Sequence, residues 1–186
     1  MKNKKLTTYQ MAVTALMAAA LCVLGPLSGP IGAIPISLSN FVICLTAWLL
    51  GPKFGTLSLV IYLAIGLLGV PVFSGYGAGL AKVAGPTGGY LVGYLLLAFI
   101  GGLFIETSNG QPVVSAVGLV LGDAACDVLG TAWFVFQMQC DLGYALAVCV
   151  YPFIVLDLAK IVVSTIVGAL LRKRLVQARV IHLKEA

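Results

Sequence analysis

Residues 151–174 read YPFIVLDLAKIVVSTIVGALLRKR, an apolar run interrupted by Asp157 and Lys160 and closed by Arg172, Lys173 and Arg174. From Pro152 to Leu171 there are about 20 residues, which as a helix rising about 1.5 Å per residue cross a hydrocarbon core of about 30 Å. Pro suits the first turn of a helix, and the basic cluster marks the aqueous end. An ionised side chain facing lipid at mid-helix costs about 2.5 to 3.5 kcal/mol, so Asp157 and Lys160 must face protein. They stand at i and i+3, neighbours on one face that can partly neutralise each other. A helix beginning at Pro152 puts the pair in the outer half of the membrane. One beginning near Leu142 would be kinked at Pro152, with the pair at mid-membrane. The first placement is the expectation, with "CDLGYALAVCVY" as a cover near the outer surface.

The rest of the chain has the same character. Of 186 residues, 61% are hydrophobic and 9% charged, and the mean hydropathy is +1.10. A soluble domain of this size could not hide so much apolar surface. Apolar segments fall at about 9–24, 36–50, 55–68, 89–105, 112–137 and 152–171, giving an all-α integral membrane protein of six transmembrane helices in a single domain spanning 1–186. A chain of this length leaves no room for an attached ATPase. Separators such as "GPLSGPIGAIP", "LGPKFG" and "ETSNGQP" break helices with Gly and Pro.

Lys2, Lys4, Lys5, Lys53, Arg172, Lys173, Arg174, Arg179 and Lys184 all fall on one side of a six-helix arrangement. By the bias of basic residues toward the cytoplasm, both termini are inside. Lys82 lies in an outer loop and Lys160 in the membrane. "MKNKK" before an apolar run resembles a secretory signal, but no small-x-small cleavage site follows, so the segment is expected to stay as a helix. Ala12, Ala15 and Ala19 recur at spacings of three and four, a smooth face suited either to packing within the chain or to docking a partner.

The five cysteines form no CxxC pair and read as small apolar residues, and His182 stands alone in the basic tail. No metal, cofactor or catalytic group is expected. The remaining buried charges are Asp123 and Asp127 on the fifth segment, where Gly130, Thr131 and Phe134 continue the face of Asp127 and Trp133 lies nearby. Asp157 and Lys160 could simply fix helix register. Desolvating two charges is a poor route to stability, however, so a site is the better reading. It would open outward and take a small amphipathic molecule with amide-like donors and an anionic group.

At Gly85-Pro86-Thr87-Gly88-Gly89-Tyr90, preceded by "GVPVFSG" at 69–75 and "LLGPKFG" at 49–55, the chain resembles the BioY family. These are biotin-specific substrate-binding (S) components of energy-coupling-factor (ECF) transporters. Asp127 with Trp133 and the Asp157-x-x-Lys160 pair match the same pattern in the same order, so the likeness runs from about Ile34 to Lys173. It implies the ECF S-component fold and high-affinity biotin binding near the outer face of a prokaryotic plasma membrane, under the loops after helices one, three and five. It also implies partners: a transmembrane coupling protein, docked on the Ala12, Ala15 and Ala19 face, and two ATPase subunits that hydrolyse the ATP.

Biotin's ureido N–H groups suit Asp157 or Asp127. Lys160 would take the valerate carboxylate or bridge Asp157 to the ureido oxygen. Trp133, Tyr90 and Phe73 are candidate apolar walls, and the Thr87, Gly88 and Gly89 turn would let backbone approach the ligand. Some relatives carry an amide near the place of Gly77 and Ala78; here Asn40 or Ser39 would have to supply that contact. The rivals are a carrier for another vitamin and a proton-coupled transporter using Asp127, Asp157 and Lys160 as a relay.

Overall fold

The computed structural model describes residues 8–29 and 36–177. Lys2, Lys4, Lys5, Arg179, His182 and Lys184 lie outside the described residues. Helix α1 (Thr8–Leu24) runs into Gly25-Pro26, where the chain turns into β1 (Ser28–Gly29). Strand β1 pairs antiparallel with β2 (Ile36–Ser37), Ser28 opposite Ser37. This short ladder takes up the residues expected to begin the second helix, so α2 starts at Ser39 rather than 36.

Helix α2 (Ser39–Leu67) consists of two helical stretches that meet at a break at Gly51, whose φ of 68° and ψ of −168° only glycine adopts without strain. The chain reverses there. A Cβ on Gly55 would lie 3.6 Å from Ala47 Cα, whereas eight residues of straight helix span about 12 Å. At the far end Ser39 lies beside the Tyr62 hydroxyl, which donates to the Val72 carbonyl at 3.0 Å. The two segments expected at 36–50 and 55–68 are therefore the arms of one helical hairpin. Their lengths, residues 39–50 and 52–67, correspond to roughly 18 and 24 Å. Replacing Gly51 by Ala is expected to cost about 1–3 kcal/mol, read as a lower unfolding midpoint in detergent. An unchanged midpoint would contradict the strain assigned to this break.

The connection after α2 carries a 3-10 turn (Ser74–Tyr76) and α3 (Gly79–Val83). It is pinned by Phe73, fully buried edge-on against Tyr62 with ring centres 5.5 Å apart. Then come α4 (Gly88–Thr107), α5 (Pro112–Met138), α6 (Leu142–Cys149) and α7 (Tyr151–Gln177). Asp141 caps α6 by accepting from the Gly143 N–H at 2.8 Å, and α7 begins afresh beside Pro152, as the first of the two placements required.

Four helices, Ser39–Leu67, Gly88–Thr107, Pro112–Met138 and Tyr151–Leu175, are long and apolar enough to cross a membrane; Gln10–Leu24 is apolar but shorter. Large apolar side chains such as Leu16, Val128 and Val155 point outward, exposed by 65%, 72% and 74%. Water would penalise such a surface and lipid would not. Inside, Leu21, Ile43, Trp48, Leu59, Tyr62 and Leu119 form the core.

Helices α4 and α5 approach closely because glycine alternates with a large partner along the contact. Gly89 meets Trp133, Gly93 meets Cys126, Gly101 meets Leu119, and on the other helix Gly118 meets Phe104 and Gly130 meets Tyr90. One end of the bundle gathers the α2 break, the α4–α5 turn and the end of α7, since Gly102 abuts Pro52 and Gly110 abuts Arg172. Lys53, Arg172, Lys173 and Arg174 all lie at that end. The connections after α1, α2 and α5 lie at the other.

Candidate functional site

Toward that second end, α2, α4, α5 and α7 enclose a polar cavity of about 70 Å³. Helical spacing assembles it. Asp123 and Asp127 stand at i and i+4 on α5, Tyr90 and Tyr94 at i and i+4 on α4, and Asp157 and Lys160 at i and i+3 on α7, and all six line it. Asn40, near the start of α2, ties the acidic residues together. Its Nδ2 donates to Asp123 Oδ1 at 2.9 Å and to Asp157 Oδ1 at 3.1 Å. Lys160 Nζ donates to the same Asp157 oxygen at 3.0 Å. The Tyr90 hydroxyl lies 3.0 Å from Thr131 Oγ1 on α5. Ser74 and Thr87 from the α2–α4 connection and Cys149 from α6 contribute to the rim.

Chemically this is a socket rich in acceptors. Three carboxylates and one ammonium face a small space, arranged for a ligand that brings N–H donors and at most one anionic group. Both N–H groups of the Asn40 amide are already used, so Asn40 orients Asp123 and Asp157 rather than standing ready as a donor. A wider, mostly apolar cleft of about 660 Å³ opens between α5 and the α6–α7 pair; it also reaches Asp123 and Asp127.

Of the residues singled out in the sequence, Asn40, Thr87, Tyr90, Asp127, Asp157 and Lys160 line the cavity. Five others are placed elsewhere. Ser39 is buried against Tyr62, and Phe73 fills the space left by Gly66 in the core. Trp133 reaches across to the α3–α4 turn, where Nε1 donates to the Gly85 carbonyl at 2.9 Å. The room at Gly88 and Gly89 is taken by the chain itself: a Cβ would lie 1.6 Å from the Val83 carbonyl oxygen at Gly88 and 2.3 Å from Trp133 Cβ at Gly89. These two glycines close the turn onto its own backbone and onto α5. Ala12, Ala15 and Ala19 are exposed along α1. The structure adds Tyr94 and Phe153 to the lining and brings to it Asp123, marked in the sequence as a buried charge. Asp123 and Tyr94 carry a signal in the sequence, each four residues from a cavity residue on its own helix.

A model described as the BioY family matches residues 1–177. The chain belongs to the BioY family. Biotin transporter BioY2 of Lactococcus lactis subsp. cremoris (strain MG1363) is 33% identical over 173 residues, covering 92% of this chain and 94% of the relative. Biotin transporter BioY of Thermotoga maritima is 37% identical over 155 residues, 83% of this chain and 90% of the relative. Among solved structures, the S-component for biotin from an ECF-type ABC transporter superposes with a TM-score of 0.84 at 32% identity, over 93% of this chain and 95% of that one. This BioY-family chain thus shares the fold of an ECF S-component, and its apolar helices make it a multi-pass membrane protein.

Proposed function

We propose that this chain is the biotin-binding S component of an ECF importer in a prokaryotic plasma membrane. In that reading it crosses the membrane six times, the two arms of α2 counted separately, with both termini in the cytoplasm. The single observation that carries the ligand assignment is the constellation of Asn40, Asp123, Asp127, Asp157 and Lys160 around one cavity in a BioY-family fold. The ureido ring of biotin brings two N–H donors and would turn them toward Asp127 and Asp157. Its carboxylate would go to Lys160, the one cation lining the cavity among the described residues. Ser74 and Thr87, from the connection between α2 and α4, lie on the rim of the same cavity, where the ring would enter.

The basic residues gathered at the opposite end support a cytoplasmic face there, and hence a cavity open to the outside. The exposed alanine face of α1 supports docking of a coupling protein, with ATP hydrolysed by two separate subunits. Proteoliposomes test the coupling. Uptake of radiolabelled biotin is expected to require the coupling protein, the ATPases and ATP on their side, and to persist with a protonophore. Uptake by this chain alone that a protonophore abolishes would overturn the coupling in favour of a proton-driven carrier.

A further inference from the structure

The connection between α2 and α4 is anchored at both ends and loose in between. Val72 and Phe73 are buried at one end, and Gly88 and Gly89 at the other. No residue from Ser74 to Thr87 is buried, and of that stretch Val83 packs partly against the core. A segment with so few buried apolar contacts opens at lower cost than the helices beneath it. Its two end residues, Ser74 and Thr87, both line the polar cavity. The strap therefore borders the site, and whatever holds it bears on how a ligand enters and leaves.

Hydrogen bonds tie the strap to other elements at two places. Near its start the Gly75 N–H donates to the Pro26 carbonyl, just past α1, at 3.2 Å. Near its end the Gly85 carbonyl accepts from the indole N–H of Trp133 on α5 at 2.9 Å. Trp133 is 37% exposed, so water takes over both groups when this second bond parts, and no unpaired group is left in the interior. The indole itself is held in place. Its Cβ occupies the space that a side chain on Gly89 would need, and its ring leans on Phe136 with ring centres 6.3 Å apart.

A fixed donor on a rigid helix, facing a carbonyl on a loosely packed segment across a water-accessible bond, has the properties of a latch. We propose that Trp133 is a positioning residue for ligand exchange, whose bond to Gly85 sets how often the strap opens the rim of the polar cavity. Trp133 does not line the cavity; it acts through the Gly85-Pro86-Thr87 turn. The bond closes the strap over an empty and a loaded site alike, so losing it speeds entry and exit together and leaves affinity nearly unchanged. The ligand side of this inference rests on the biotin reading; the opening of the strap does not.

Trp133→Phe keeps an aromatic ring and removes the N–H. In the full chain in detergent, amide hydrogen exchange of residues 74–87 is expected to quicken about threefold to tenfold over the parent, with exchange along the α4–α5 contact unchanged. Association of radiolabelled biotin, and its release into excess unlabelled biotin, should both rise by about that factor. Phe136→Leu removes the ring contact and spares the bond, and should leave exchange and release at the parent rates. Should Trp133→Phe fail to fold, replacing Trp133 by 3-benzothienylalanine, of the same shape without the N–H, gives the same reading. Unchanged exchange in residues 74–87 would overturn the latch, and faster exchange throughout the bundle would reduce Trp133 to a residue of general stability. Quickened exchange of the strap with unchanged biotin release would overturn its part in ligand exchange. A parent that binds no biotin while its strap still responds to Trp133→Phe would sink the biotin reading and uphold the latch.

Discussion

Replacing Lys160 by Met is expected to weaken biotin binding by about a hundredfold or more while leaving the protein folded. The ammonium now sits 3.0 Å from Asp157 Oδ1. Removing it leaves three carboxylates in one cavity with only the Asn40 amide bonded to two of them. Breaking a buried pair from one side costs about 3–5 kcal/mol, and each factor of ten in affinity is about 1.4 kcal/mol. Part of that cost falls on stability, which is why the expected loss of affinity is set at the lower end. Asp157→Asn, which keeps the shape and leaves Lys160 without its carboxylate, should lose affinity by a comparable factor. Calorimetry on both variants, with unfolding midpoints measured alongside, separates two roles. Lowered midpoints with unchanged affinity would mean that the pair only fixes the register of α7.

Gly88→Val is expected to keep the protein from accumulating in the membrane, or to lower its stability by more than about 3 kcal/mol. The new Cβ would stand 1.6 Å from the Val83 carbonyl oxygen. The oxygen is backbone and the place of a Cβ is fixed by backbone, so no rotamer change relieves the clash; the turn from α3 into α4 would have to open. Thr87 and Tyr90, on either side, line the cavity, so binding should fail together with the fold. Gly29→Ala is the matched control, because its new methyl meets nothing within 4 Å. It should shift stability by no more than about 0.5 kcal/mol. A stable, biotin-binding Gly88→Val protein would contradict the packing described for this turn.

How far the sequence speaks for the structure depends on whether the signal is local. The start of α7 beside Pro152 was legible, because Pro suits a helix's first turn and the following residues are long enough to span. The pairing of Asp157 with Lys160 was legible for the same reason: a helix fixes which residues share a face. The α2 hairpin was legible apart from its first residue. The six-helix reading already turned the chain at Gly51-Pro52, and the approach of Gly55 to Ala47 shows the arms folded back on each other within what is one element, Ser39–Leu67.

Long-range partners were not legible. Asn40 stood out as a possible donor to a ligand, but its two acceptors lie 83 and 117 residues away. Nothing in its neighbourhood says that its donors are spoken for. The packing partners of Phe73, Trp133, Gly88 and Gly89 were hidden for a related reason. Aromatic and glycine residues in a loop suit a ligand wall and a tight backbone approach equally well, and which one applies depends on what packs opposite. Here Gly66 faces Phe73, Gly89 faces Trp133, and the Val83 carbonyl fills the space at Gly88.

The most direct measurement is the heat of biotin binding to the purified, detergent-solubilised chain, with thiamine, riboflavin and pantothenate titrated in parallel. One biotin per chain bound tightly, with no saturable heat from the other three, is the expected result. A well-folded protein that gives no heat with biotin, or prefers one of the other vitamins, would contradict the assignment of the Asp157 and Lys160 cavity as a biotin site.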